Sequence, residues 1–241
     1  VTAQDLMAKA AQAAASAKTR HAKIDFIVSP TPITEPVTKF GGQPVWLTTP
    51  QWPLGRSTGE PLQFIAQIAL DDALWPGTAG KMAYLFMADN DVSDTSSPES
   101  GDNALIIQPS AAVLPVKVTA EATGPTLYQW GDDDDGKRVP VPFEYAVKLR
   151  FGEEPDWPDE EVRANWNGPL YEHYEDARGN KLGGGPMFIQ GDDFPEGDGW
   201  RLLLQLDSIH VPFSIYFGDC GIGYAFIDAA GERGRFLWQC C

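Results

Sequence analysis

Basic residues are scarce in this chain. Lys and Arg number 18 against 34 Asp and Glu, a formal net charge of −16 over 241 residues. Nucleic acid is therefore not expected as a partner, because affinity for a phosphate backbone rests on Lys and Arg. An anionic membrane surface is not expected for the same reason. Cysteine is nearly absent: three in all, with Cys240 and Cys241 adjacent. An odd set of this kind argues against a disulfide framework and for a reducing cytoplasm. No apolar run reaches the roughly 18 residues of a membrane span. The Ala-rich start, Val1–Ala17, carries Asp5, Lys9 and Gln12, which spoil it as a signal-peptide core. Phosphate-loop signatures are missing too: Gly77-x-x-Gly80-Lys81 is too short and lacks the hydroxyl that would meet Mg²⁺.

Turn formers, by contrast, are plentiful, with 24 Gly and 20 Pro. Many short strands joined by tight turns follow from that richness. Thr2 to about Lys18 reads as a helix, with Thr2 placed to cap it and Ala filling its interior. Three prolines between Ser29 and Pro36 make that stretch a linker. Apolar runs bounded by Gly and Pro predict strands at Gln43–Leu47, Leu62–Leu70, Met82–Ala88 and Ala104–Gln108. A later set falls at Pro186–Gln190, Trp200–Asp207, Gly223–Asp228 and Arg235–Gln239. Between the sets lie strand-like pieces at Thr126–Trp130 and Phe143–Phe151. A short helix is expected from Pro158 to about Trp166, with acids in its first turn.

The two sets repeat each other. Lys39-Phe40-Gly41-Gly42-Gln43-Pro44 returns as Lys181-Leu182-Gly183-Gly184-Gly185-Pro186, and Trp52-Pro53 as Phe194-Pro195. Leu62 through Ile65, followed by Gln67-Ile68, is echoed by Leu202 through Leu204, followed by Gln205-Leu206. Tyr84-Leu85-Phe86 is echoed by Tyr224-Ala225-Phe226, and Ile107-Gln108 by Trp238-Gln239. Matches in one preserved order imply a duplicated unit. The expected fold is mainly β (a β-rich α+β class): internally duplicated antiparallel sheets forming one roll- or barrel-like domain. The expected boundaries are 1–36 for the helix and linker and 37–241 for the domain. Within it, the first repeat covers about 39–108, the connector about 109–180 and the second repeat about 181–239.

These residues resemble the YwqG-like family, bacterial proteins carrying a domain of unknown function. Gly59-Glu60-Pro61-Leu62-x-Phe64-Ile65-Ala66-Gln67-Ile68 and Gly218-Asp219-Cys220-Gly221-Ile222-Gly223-Tyr224 carry the resemblance most specifically. It implies a mainly β roll with a helical N-terminal addition, and no activity.

Candidate functional residues fall into five groups. Gln67 and Gln205 sit inside runs apolar on both faces, where a buried amide must find partners. Their two readings are a structural tie near the pseudo-axis, or, with Tyr84, Tyr224 and Asp219, a small-ligand cavity between the repeats. Asp219-Cys220-Gly221 suggests a thiol site, but the neighbouring carboxylate opposes thiolate formation, and His21, His173 and His210 form no recognisable triad. Cys220, Cys240, Cys241 and His210 could assemble a zinc site, though vicinal cysteines are awkward tetrahedral ligands. Asp89-x-Asp91-x-Ser93-Asp94 and Asp132, Asp133, Asp134 and Asp135 cluster oxygens without the EF-hand pattern. No metal, cofactor or catalytic residue is assigned. Trp157 and Trp166 flank the acidic connector helix, and with Asp132–Asp135 they suggest a surface for a basic protein partner. The leading expectation is a non-enzymatic interaction module, adaptor or immunity-type. A small-ligand binder and a thiol-dependent enzyme are the alternatives.

Overall fold

A computed structural model of the chain describes residues 2–14, 18–89, 97–155 and 178–240. Thr2 closes a reciprocal cap: its hydroxyl accepts the Asp5 N–H at 3.1 Å, while the Asp5 carboxylate accepts the Thr2 N–H at 3.0 Å. Helix α1 (Ala3–Ala14) follows from that start, and Leu6 is its buried anchor. The strands are β1 (Lys18–Val28), β2 (Lys39–Gly41), β3 (Trp52–Pro53), β4 (Gln63–Ala69), β5 (Met82–Met87) and β6 (Asn103–Gln108). They continue as β7 (Val118–Thr119), β8 (Tyr128–Asp132), β9 (Arg138–Pro142), β10 (Glu144–Pro155), β11 (Lys181–Gly183), β12 (Arg201–Asp207), β13 (Ile222–Ile227) and β14 (Gly234–Gln239).

Ten of these form one antiparallel sheet in the order β14-β13-β12-β11-β1-β10-β2-β4-β5-β6, and it is nearly closed on itself. The order reads the same from either end, with the β1–β10 pair at the centre. Register repeats as well: Lys39 faces Gln67 and Gln67 faces Tyr84, just as Lys181 faces Gln205 and Gln205 faces Tyr224. Both halves carry the same irregularity, between Phe64 and Ala66 and between Leu202 and Leu204. One extra residue there turns Ile65 with Ala66, and Leu203 with Leu204, into the barrel core, and sends Phe64 and Leu202 to the outer face.

β1 is a difference from expectation. Residues 18–28, read as part of a helix-and-linker segment, form a central strand paired with β10 along its whole length. Its charged residues Lys18, Arg20, Lys23 and Asp25 hid it from an apolar-run criterion. Gln43–Leu47 and Pro186–Gln190, expected as strands, are instead extended segments without ladder pairing. The expected helix at 158–166 lies outside the described residues.

The core is the barrel interior, and long connections close its ends. Trp75, from the β4–β5 connection, is 1% exposed and donates its indole N–H to Leu202 O at 2.9 Å, in the other half. Phe213, from the β12–β13 connection, packs against Phe26, Phe40 and Phe143. The edges β6 and β14 approach so closely that a Cβ on Gly234 would lie 2.6 Å from Leu105 O. An ion pair between Lys81 and Glu232 spans the same seam.

Candidate functional site

Apolar residues on the outer face of each half are covered by an extended strap, and the strap's backbone polar groups must be satisfied there. In the first half, Gln67 Oε1 accepts the Val45 N–H at 2.8 Å and Gln67 Nε2 donates to Val37 O at 2.8 Å. The Tyr84 hydroxyl accepts from Leu47 N at 2.9 Å and donates to Val45 O at 2.8 Å. Gln108 accepts from Thr48 N and donates to Thr49 O. The second half repeats the scheme. Gln205 accepts from Met187 N and donates to Gly179 O, the Tyr224 hydroxyl donates to Met187 O, and Gln239 accepts from Ile189 N and donates to Gly191 O. Burial pushes the Tyr84 phenol up to about 12.

Gln67, Tyr84, Gln205 and Tyr224 are thus each 0% exposed, and the two tyrosines belong to separate outer-face clusters. The structure does not bring the four together around one cavity between the repeats. Their side chains are occupied by strap backbone.

Beneath each Gly-Gly turn lies a buried ion pair that sequence reasoning missed. Lys39 Nζ donates to Glu144 and also to Ile33 O at 2.9 Å and Gln43 O at 2.7 Å. Lys181 Nζ donates to both oxygens of Glu154, at 2.7 and 2.9 Å. Both lysines are 1% exposed. Burial holds the Lys181 ammonium below its ordinary value, against the pull of Glu154. The Glu154 carboxylate also accepts Gly185 N at 2.7 Å and lies 3.5 Å from His21 Nδ1. The signal was present: each lysine is the first residue of the repeated Lys-x-Gly-Gly motif, and a charge repeated beside a two-glycine turn points to a buried partner. A cleft of ≈ 500 Å³ opens over the Lys39–Glu144 pair, walled by Pro30, Pro32 and Phe143.

The larger cleft, ≈ 740 Å³, lies at one end of the barrel between β8 and the segment 211–216. Ile65 and Met87 from the sheet line it, together with Tyr128, Gln129 and Trp130 of β8 and Tyr216 opposite. Trp130 is 47% exposed and Tyr216 45%. The Arg138 guanidinium sits 5.1 Å from the Trp130 ring centroid, and Tyr128 meets that ring edge-on at 5.4 Å. The β8–β9 turn carries Asp132–Asp135, all exposed. Asp133 accepts from Asp135 N and Lys137 N, which shapes the turn. Acidic tip and aromatic wall therefore share one hairpin, a juxtaposition that neither run reveals alone.

Other predicted residues fall elsewhere. Asp219 and Cys220 are exposed on the β12–β13 connection, with Cys220 at φ 51° and its thiol 3.7 Å from Asp219 Oδ1. His210 Nδ1 is 2.9 Å from the buried Asp207, which also accepts Arg178 Nε at 2.8 Å. Cys240 packs against Gly218, and Cys241 lies outside the described residues. So do Asp91, Ser93, Asp94, Trp157, Trp166 and His173. Among the described residues no group of three or more His, Cys, Asp or Glu converges as metal ligands, and no helix is long and apolar enough to cross a membrane.

A family model described as a domain of unknown function (DUF1963) matches residues 38–231. No curated protein matches the chain. The matched span leaves out β1 and β14, both of which the ten-stranded sheet contains.

Proposed function

The chain belongs to the family described as a domain of unknown function (DUF1963), and because that description names no activity, we propose from the cleft itself that the protein is a non-enzymatic interaction module for a basic protein. The observation that carries this reading is the β8–β9 hairpin, where exposed Trp130 lines the larger cleft and Asp132–Asp135 form the adjoining tip. An exposed aromatic anchor beside a tip whose four carboxylates outnumber Lys137 and Arg138 is the composition of a docking surface. The net charge of −16 steers a cationic partner toward the molecule as a whole. An adaptor or immunity-type role, a bacterial origin of the YwqG-like kind and a cytoplasmic setting complete the proposal.

Calorimetric titration with a synthetic peptide of alternating lysine and valine tests it at low and high salt. Binding should weaken steeply with salt. It should fall further in Trp130→Ala and in a variant with Asp132–Asp135 changed to Asn. Equal binding by all three proteins, or affinity indifferent to salt, would end the reading.

A further inference from the structure

The β8–β9 hairpin is a two-stranded sheet among the described residues, so each strand has one edge beyond the pair. The ladder fixes which backbone groups face out. Gln129 pairs with Val141 and Gly131 with Val139, while Trp130 pairs with Pro140 and Tyr128 with Pro142. Proline has no N–H to give to a ladder. Asp133 N donates to Lys137 O at 2.9 Å, which sets the alternation: odd-numbered β8 residues bond to β9 and even-numbered ones point away.

The two outer edges are therefore unequal. On β9 the outward positions are Arg138, Pro140 and Pro142, and the prolines remove two of the three donors. Proline at such places blunts an edge against further pairing. On β8 the outward positions include Trp130 and Asp132, each with both a donor and an acceptor. Three successive β8 residues, Tyr128, Gln129 and Trp130, line the larger cleft, and Arg138 of β9 lines it beside Trp130. The cleft therefore lies against the hairpin face that carries Trp130 and runs along β8.

We infer that the larger cleft takes an extended, lysine- or arginine-bearing protein segment as an added strand on the outer edge of β8, bonded to the backbone of Trp130 and Asp132. The inference rests on the interaction reading above and specifies its geometry. Backbone pairing supplies affinity and alternate side chains supply selectivity. Residues of the added strand on one face lie beside Trp130, Tyr216 and Ile65 in the cleft. Basic residues toward the hairpin turn meet Asp132–Asp135, the charge match that selects a cationic occupant. Pro140 and Pro142 keep the same segment off the opposite edge.

The test compares the lysine–valine peptide with the same sequence N-methylated at alternate residues, which keeps charge and side chains but cannot pair on the methylated edge. Hydrogen exchange of the Trp130 and Asp132 amides is followed alongside affinity. Added-strand binding predicts a roughly tenfold loss of affinity for the N-methylated peptide whose blocked edge faces β8. It also predicts slowed exchange at Trp130 and Asp132 when the unmodified peptide binds, with Gln129 and Gly131 already protected by β9. Equal affinity for both peptides, with exchange unchanged, overturns the added strand and leaves the interaction reading standing. No binding of the unmodified peptide overturns both.

Discussion

Glu144 and Glu154, at opposite ends of β10, each neutralise one buried lysine, and the two lysines are the equivalent residues of the two repeats, Lys39 and Lys181. One central strand thus holds the counter-charge for both halves. One further contact anchors each carboxylate: Glu144 accepts from Ile33 N at 3.0 Å and Glu154 from Gly185 N.

Removing one member of such a pair strands a charge in the barrel wall, which costs more than the pair gains. Glu154→Gln should destabilise the protein by about 3 kcal/mol in urea unfolding. Adding Lys181→Met to that variant should recover more than half of the loss, because no charge then remains buried. A double variant as unstable as the single one would show that the pair is not the source.

Glycine is required where the carboxylates approach. Gly184 has φ +74°, and a Cβ there would collide with Glu154; Gly59 has φ +73° and nothing within 4 Å. Gly59→Ala should cost about 1 kcal/mol, the backbone term alone. Gly184→Ala adds displacement of a carboxylate that neutralises a buried lysine, so its cost should exceed that of Gly59→Ala by about 2 kcal/mol or more. Equal melting shifts for the two would refute the close contact.

Asp207 sets an acid limit. Burial raises its pKa, but hydrogen bonds from Arg178, His210 and the Ile209 N–H outweigh that and hold it below the ordinary carboxylate value. A depressed folded-state pKa means the stabilisation is complete above the unfolded value, about 3.9. It is lost as pH falls below that through the lower folded value. Asp207→Asn should therefore flatten the stability profile in that acid window and leave its shape near neutrality unchanged, as measured by denaturant midpoints across pH.

The straps depend on side-chain amides. Gln67→Met leaves the Val45 N–H and Val37 C=O without their partner, and Gln205→Met does the same to Met187 N and Gly179 O. Each should cost about 2–4 kcal/mol. Hydrogen exchange should localise the loss to 43–49 in the first variant and 185–191 in the second. Global exchange changes alone, without that separation, would remove the strap assignment.

Strand content and duplication were legible because both are carried by local patterns. Runs such as Phe64–Ile68 and Leu202–Leu206 are apolar on both faces, and the repeats keep Lys-x-Gly-Gly, Gln and Tyr in one order. That Gln67 and Gln205 are buried and bonded was legible for a related reason, since a buried amide has to be bonded; that each holds a strap within its own half, rather than tying the repeats together near the pseudo-axis, was not. β1 was not legible: Lys18, Arg20, Lys23 and Asp25 interrupt any apolar run, and only pairing with β10 and β11 along its two edges marks it as a strand. The straps were misread as strands because an extended apolar segment looks alike whether its backbone bonds to a neighbouring strand or to glutamine and tyrosine side chains.

Composition and order by themselves determined that this chain builds two like β units, carries a large negative charge and holds few thiols. Only the tertiary structure decided that both lysines draw on one strand, that Trp130 and Asp132–Asp135 share a hairpin beside a cleft, and that the four glutamine and tyrosine candidates bind backbone. The reason is that each of these joins groups distant in the chain, brought together by sheet register and barrel closure, which no local pattern of residues encodes.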